Sequence, residues 1–196
     1  MTVSMTTRAS LLTSLRMMVL LAALLGLLYP FVVTSLSEVV FPSQSRGSLV
    51  YDENGTIVGS ALVGQPFVGA EYFHGRPSAA NYAPDQVSGS NLSPGNATLR
   101  ERALQEARAI EERDGVTIGE IPVDLLAASG SGIDPHISPQ AALIQVPRVS
   151  RERNMPITEV KNAISSATEN GGIVGQPAVN VLKLNLALDE QARGMP

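Results

Sequence analysis

The sequence predicts an α+β fold: one N-terminal transmembrane helix followed by a single extracytoplasmic α+β domain with a β-hairpin and several helices. Three observations carry this reading. About twenty uncharged, leucine-rich residues separate Arg16 from Glu38. Two short apolar runs flank Asp52-Glu53-Asn54-Gly55, a hairpin signal. Beyond them, helical periodicities precede an alternating segment near the C-terminal end.

The apolar run places a transmembrane helix at 17–37, behind a weakly basic cytoplasmic lead at 1–16 and ahead of an extracytoplasmic domain at 43–196. A helix rising 1.5 Å per residue needs roughly twenty residues to cross about 30 Å of hydrocarbon. Pro30 lies near the end of this span, where it kinks the exit at most. A cleaved signal peptide is the alternative. Its apolar core usually runs about 7–15 residues, shorter than this one, and Val33 and Ser35 make a poor cleavage site. Arg8 and Arg16 precede the run, while Glu38, Asp52 and Glu53 follow it. The expected topology is therefore N-terminus inside and C-terminal domain outside the cell membrane.

Of 196 residues, about 150 remain for one domain, enough to bury its own core. No cysteine is present, which excludes disulfides and thiolate zinc sites. A net charge of -4 and only 4% aromatics argue against nucleic acid as a partner. His74 and His136 stand far apart and make a poor metal pair.

Gly47–Tyr51 and Thr56–Val63 are the two expected hairpin strands, with Asn54 and Gly55 able to take positive φ at the turn. Gly64–Gly95 is a long loop rich in Gly, Pro, Ser and Asn. Its aromatics Phe67, Tyr72, Phe73 and Tyr82 argue for packing against the domain's core or a neighbouring subunit. Ala97–Arg113 reads as an amphipathic helix capped by Asn96 or Ser93 and stopped at Asp114-Gly115. A short helix or turn follows at 121–127. Ser138 caps the next helix, with Pro139 at its first position, and Pro147 is expected to kink it. Met155-Pro156 begins another helix, and Val179–Leu188 alternates as a strand that flows into a final helical turn.

Ser129, Ser131, Asp134 and His136 crowd into eight positions, which invites an alternative reading as a membrane-anchored extracytoplasmic hydrolase using Ser131, Asp134 and His136. Residue 128 is Ala where a nucleophile elbow needs Gly, and a triad is assembled in space rather than in sequence. The competing explanation is a structured loop whose Ser and Asp side chains bond nearby backbone. Two Gly/Ser runs precede helix starts, but neither carries the lysine-bearing pattern of a phosphate-binding loop.

Five segments decide the matter better than this chemistry does. They are Tyr72-Phe-His-Gly-Arg-Pro-Ser78, Ser88-Gly-Ser-Asn-Leu92, Ala128-Ser-Gly-Ser-Gly-Ile-Asp-Pro-His-Ile-Ser-Pro139, Gln145-Val-Pro-Arg-Val149 and Val179–Leu188. Through them the chain resembles the C subunit of the Kdp high-affinity potassium-transporting P-type ATPase over its whole length. One departure is visible: the family usually shows Ser-Gly-Gly-Ser-Asn-Leu-Gly, whereas here a glycine is missing and Ser93 replaces the last one.

The resemblance implies a non-catalytic accessory subunit, anchored in the lipid bilayer beside a channel-like A subunit, a P-type B subunit and a small F subunit. It implies assembly and stabilisation as the role, with modulation of nucleotide affinity or ion entry as further possibilities. ATP is the one cofactor it suggests, with Gln145 as the matching position. Tyr72, Phe73, His74, Arg76, Ser129, Ser131, Asp134, His136 and Ser138 are the expected interaction residues. Ala22, Ala23 and Gly26 offer a face for close helix approach.

Overall fold

The computed structural model describes residues 3–172 and 174–194. Met1 and Thr2 of the expected lead, and Ile173, Met195 and Pro196 of the expected domain, lie outside the described residues. The chain divides into two compact units, one ending at Ser48 and the other beginning at Leu49.

The first unit is mostly one apolar rod. Helix α1 (Val3–Ala23) passes through a π-helical turn (Leu24–Leu28) into α2 (Tyr29–Val40). The stretch Ala9–Val40 is long and apolar enough to cross a membrane. The helix thus extends beyond the expected 17–37 at both ends. Pro30 explains the wide turn: it lacks an N–H, and its ring crowds the carbonyl four residues back. The Tyr29 N–H reaches Leu24, five residues back, which relieves that crowding without breaking the rod. Phe41 leaves helical geometry, and Pro42–Ser45 adds one helical turn, α3.

In the second unit, strands β1 (Leu49–Tyr51) and β2 (Ile57–Ser60) pair antiparallel. Their connection is longer than a two-residue Asn-Gly turn. Asp52 N–H donates to Thr56 O at 2.9 Å, the Asp52 carboxylate accepts from the Asn54 and Thr56 amides, and only Gly55 takes positive φ at the turn. The result is a three-residue loop closed by a left-handed glycine.

Helix α4 (Ala97–Asp114) is capped by Asn96, whose side chain accepts from Thr98 N–H at 2.8 Å, and it stops at Gly115 with φ +69°. Ala107 and Ile110 are its buried apolar residues, whereas Leu104 is exposed. A 3₁₀ turn (Ile118–Glu120) and α5 (Val123–Leu126) lead to β3 (His136–Ile137). Ser138 and Pro139 open α6 (Pro139–Leu143) as expected. At Pro147 the helix breaks instead of kinking, and α7 (Val146–Arg153) begins with that proline in its first turn. Asn154 ends α7 in the left-handed conformation, and α8 (Ile157–Ala167) follows Pro156.

A small sheet of order β3–β5–β4, with β4 at Thr168–Glu169 and β5 at Ala178–Asn180, joins these helices. Pairing is antiparallel throughout: His136 faces Asn180, Ile137 and Thr168 face Val179, and Glu169 faces Ala178. The alternating C-terminal segment is mostly helix, α9 (Val181–Gly194), rather than strand. Val181, Leu184, Asn185 and Leu188 are buried at spacings of three and four, and Asn180 Oδ1 accepts from Lys183 N–H at 3.2 Å to start the turn. One core gathers Ile110, Leu125, Ile137, Val149, Val160, Val179, Leu184 and Leu188 around Phe73, the one long-loop aromatic that is fully buried.

Candidate functional site

The long loop is held in place by side chains from distant helices. Asn185, on α9, bonds both polar groups of the Phe73 backbone: Oδ1 accepts from N–H at 2.8 Å and Nδ2 donates to C=O at 2.9 Å. Gln145, just before α7, does the same to His74. Its Oε1 accepts from His74 N–H at 2.9 Å and its Nε2 donates to His74 O at 3.2 Å. Two amide side chains thereby supply the backbone partners that neighbouring strands would otherwise give two consecutive residues.

Beneath them lies a buried ion pair. Arg148 Nε donates to Asp114 Oδ1 at 2.6 Å, with the two side chains 2% and 0% exposed. Arg148 also donates to Ala70 O, to Tyr72 O at 2.9 Å and to Gln145 Oε1 at 2.9 Å. The other Asp114 oxygen accepts from Arg113 at 2.7 Å and 3.0 Å. Further out, the Arg153 guanidinium sits 5.1 Å from the Tyr72 ring centre and donates to Glu71 O. Tyr72 in turn lies 5.5 Å from Phe67. Loop residues 69–76 are therefore fastened from α4, α7 and α9 together.

The two histidines have their pKa values moved in opposite directions. His74 Nε2 faces the Gly69 carbonyl at 3.2 Å, so Nε2 bears the proton and Nδ1 accepts from Arg113 at 2.7 Å. Burial, reinforced by the Arg113 charge, lowers its pKa to about 4. His136 instead faces acceptors on both sides: Asp134 Oδ1 at 3.3 Å from Nδ1, and Glu169 Oε2 at 3.2 Å from Nε2. Its hydrogen bond to Asp134, ahead of all other influences, raises its pKa above the ordinary histidine value.

Those contacts form a row in which basic and acidic side chains alternate. Arg76 pairs with Asp134 at 3.0 Å, Asp134 with His136, His136 with Glu169, and Glu169 with Lys183 at 2.6 Å. The His136 hydrogen bond is the chief influence holding the Asp134 carboxyl below its usual range, and the Lys183 ammonium is the chief one for Glu169.

Ser129 and Ser131 do not complete a hydrolytic triad with this histidine. The Ser129 hydroxyl accepts from Gly132 N–H at 3.1 Å and lies 3.1 Å from Ser131, which accepts from Ile133 N–H. Both nitrogens of the His136 ring are taken by carboxylates. The crowded motif is a structured loop, tied to its neighbour by Ser78 Oγ donating to Gly132 O at 2.6 Å and Ser129 N–H donating to Pro77 O at 2.9 Å. Ser138 bonds Asp124 through both its backbone N–H and its hydroxyl.

Placement among the expected interaction residues is uneven. Phe73 and Ser129 face inward, at 0% and 1% exposure, so neither offers surface to a partner here. Tyr72, His74, Arg76, Ser131, Asp134, His136 and Ser138 are half-buried. Gln145 is fully buried, and all four hydrogen-bonding positions of its amide are filled by His74, Ala141 and Arg148. No atom of that amide is left for a nucleotide. Among the described residues, no cluster of His, Cys, Asp or Glu is placed to hold a metal ion. Sequence reasoning missed Asn185, Arg148, Asp114 and Glu169. Polar residues on the apolar faces of α4, α7 and α9 were the available signal for the first three.

Fold and site together define a small α+β domain, joined to one long apolar helix, whose distinctive polar residues are bonded to the domain's own backbone and to one another. The family model described as "K+-transporting ATPase, c chain" matches residues 11–190. The chain belongs to this KdpC family. It is 46% identical over 170 residues to the potassium-transporting ATPase KdpC subunit of Shewanella putrefaciens, covering 86% of this chain and 85% of the relative. Against the KdpC subunit of Myxococcus xanthus identity is 44% over 189 residues, covering 94% and 90%. For that of Geobacter sulfurreducens it is 46% over 178 residues, covering 88% and 93%.

Proposed function

We propose that the chain is a non-catalytic accessory subunit that assembles and stabilises the membrane part of the potassium pump. Its helix anchors it beside a channel-like A subunit, a P-type B subunit and a small F subunit, with the N-terminus cytoplasmic and the α+β domain outside. The observation that carries this reading is the internal commitment of the polar residues. Gln145, Asn185, Arg148 and Asp114 fasten one loop, and the serines of the 128–138 motif bond backbone. Such a site builds a shape for neighbours to recognise.

On this view Gln145 is a positioning residue. Any influence of the domain on nucleotide affinity or ion entry passes through the loop that Gln145 and Asn185 hold. Direct ligation of ATP by that amide is not part of the proposal, because its hydrogen-bonding capacity is already used.

Ser131→Ala and His136→Ala variants test the assembly role, with recovery of the complex and potassium-dependent growth as readouts. The assembly role predicts that growth falls only as far as complex recovery falls. Loss of growth with an intact, fully recovered complex would instead support a catalytic site.

A further inference from the structure

Among the described residues of the second unit, the His136 ring bridges two carboxylates from different elements. Asp134 belongs to the loop before β3, Glu169 to β4. Arg76 stands behind Asp134 at 3.0 Å, from the long loop, and Lys183 stands behind Glu169 at 2.6 Å, from α9. Asp124 of α5 lines the same groove but is bonded to Ser138, at 2.7 Å and 3.1 Å. The residue opposite His136 on β5 is the neutral Asn180. The ring's own charged partners are Asp134 and Glu169, and Arg76 and Asp124 line the groove beside it.

A protonated imidazole donates from both nitrogens, and a neutral one donates from only one. Neutral His136 would turn a lone pair toward one of its two carboxylates. We propose that His136 is a proton-operated clasp: protonated, it ties the 128–138 loop to strand β4, and loss of the proton releases β4.

Geometry decides which contact goes. Asp134 also accepts from the His136 backbone N–H at 3.0 Å, so those two residues stay together in either state. Glu169 is the more exposed carboxylate, at 44% against 30%, and it has Lys183 as a ready second partner. Among the described residues, β3 and β4 each pair with β5 rather than with each other, by ladders two residues long. The groove beside the clasp, about 480 Å³, is lined by Val123, Ala127, Ile137, Pro177 and Ala178 as well as by His136. Strand β4 meets that lining through Ala178, the β5 residue paired with Glu169. The raised pKa of His136 and the lowered ones of Asp134 and Glu169 agree with the closed clasp. This inference does not depend on the accessory-subunit reading or on the side of the membrane.

The test uses the full chain in detergent micelles with ¹⁵N-labelled histidine, following ring-nitrogen shifts and backbone amide exchange as pH is raised. His74 supplies a neutral internal reference near neutral pH. We expect His136 to carry two N–H groups at neutral pH and to lose one only above the ordinary histidine range. Protection of the Thr168 and Glu169 amides, measured against their intrinsic base-catalysed exchange, should fall over the same interval. Glu169→Gln should move the His136 titration down toward the ordinary value and abolish that pH-dependent loss of protection. Should the variant fail to fold, the unmodified chain decides alone. A His136 that is neutral at neutral pH, or exchange in β4 that ignores its titration, overturns the proposal.

Discussion

Asn185 and Phe73 are 112 positions apart, yet the Asn185 amide bonds both the N–H and the C=O of Phe73. With Gln145 doing the same for His74, the long loop gains a strand's hydrogen bonding without a strand beside it. Phe73 can then enter the core fully while its own backbone remains hydrogen-bonded.

Removing either amide should therefore loosen the loop. Asn185→Ala leaves a buried donor and a buried acceptor on Phe73 without partners, a cost of about 1–3 kcal/mol for each such group. Chemical unfolding of the full chain, monitored through amide signals of residues 69–76, measures the effect. A loss below about 0.5 kcal/mol would mean that water replaces the amide freely.

The Asp114–Arg148 pair makes a sharper prediction. Both side chains are buried, so Arg148→Met strands a carboxylate and should cost about 3–5 kcal/mol. Arg113 keeps its own contacts with Asp114, which softens the loss toward the lower figure. The double variant Asp114→Leu with Arg148→Met should recover part of that stability in the same unfolding measurement.

Gly132 and Gly130 form a matched pair for testing the 128–138 loop. Gly132 has φ +75°, and a Cβ there would lie 2.5 Å from Ser88 O and 2.8 Å from Ala80 Cβ. Gly132→Ala should cost about 1–3 kcal/mol, because strain and a backbone clash act together. Gly130 has open space around the same position, so Gly130→Ala should lie within about 0.5 kcal/mol of the parent. Equal melting temperatures for the two variants would contradict this packing.

The histidines predict opposite pH slopes. His74 in the folded chain binds a proton only at about 4, against 6.5 for the free side chain. The unfolded state therefore takes up this proton first, and stability falls as pH drops from about 6.5 toward 4. His136 has its pKa raised, so its contribution is fully present below about 6.5 and is lost as pH rises through the folded value. His74→Asn should flatten the acid limb of a stability profile, and His136→Gln the alkaline limb. A profile left unchanged by both variants would contradict these two opposite shifts.

What was legible in the sequence was local. Asn96, Ser138 with Pro139, and Pro156 each act within a few residues, and each marks a helix start where the structure has one. Pro147 was visible but underestimated, since α6 and α7 turn about it as separate helices. The run Val179–Leu188 carries buried residues at both strand and helix spacings, and Asn180 as a cap was the cue that favoured helix. Strands β3 and β4 are two residues long, too short for any alternation to register. Of the site, the His136–Asp134 contact is local and was in view, whereas Glu169 lies 33 positions from His136 and has no local signature. The same holds for Asn185 and Gln145, whose partners are set only by the packing of α7 and α9.

Affinity purification of the tagged full chain from membranes of its own host, grown under potassium limitation, tests the central claim most directly. The account predicts co-purification of a large multi-span channel-like protein and a P-type ATPase in near-equal amounts, with yields reduced for Asn185→Ala. Recovery of the chain alone, folded and stable, would contradict it.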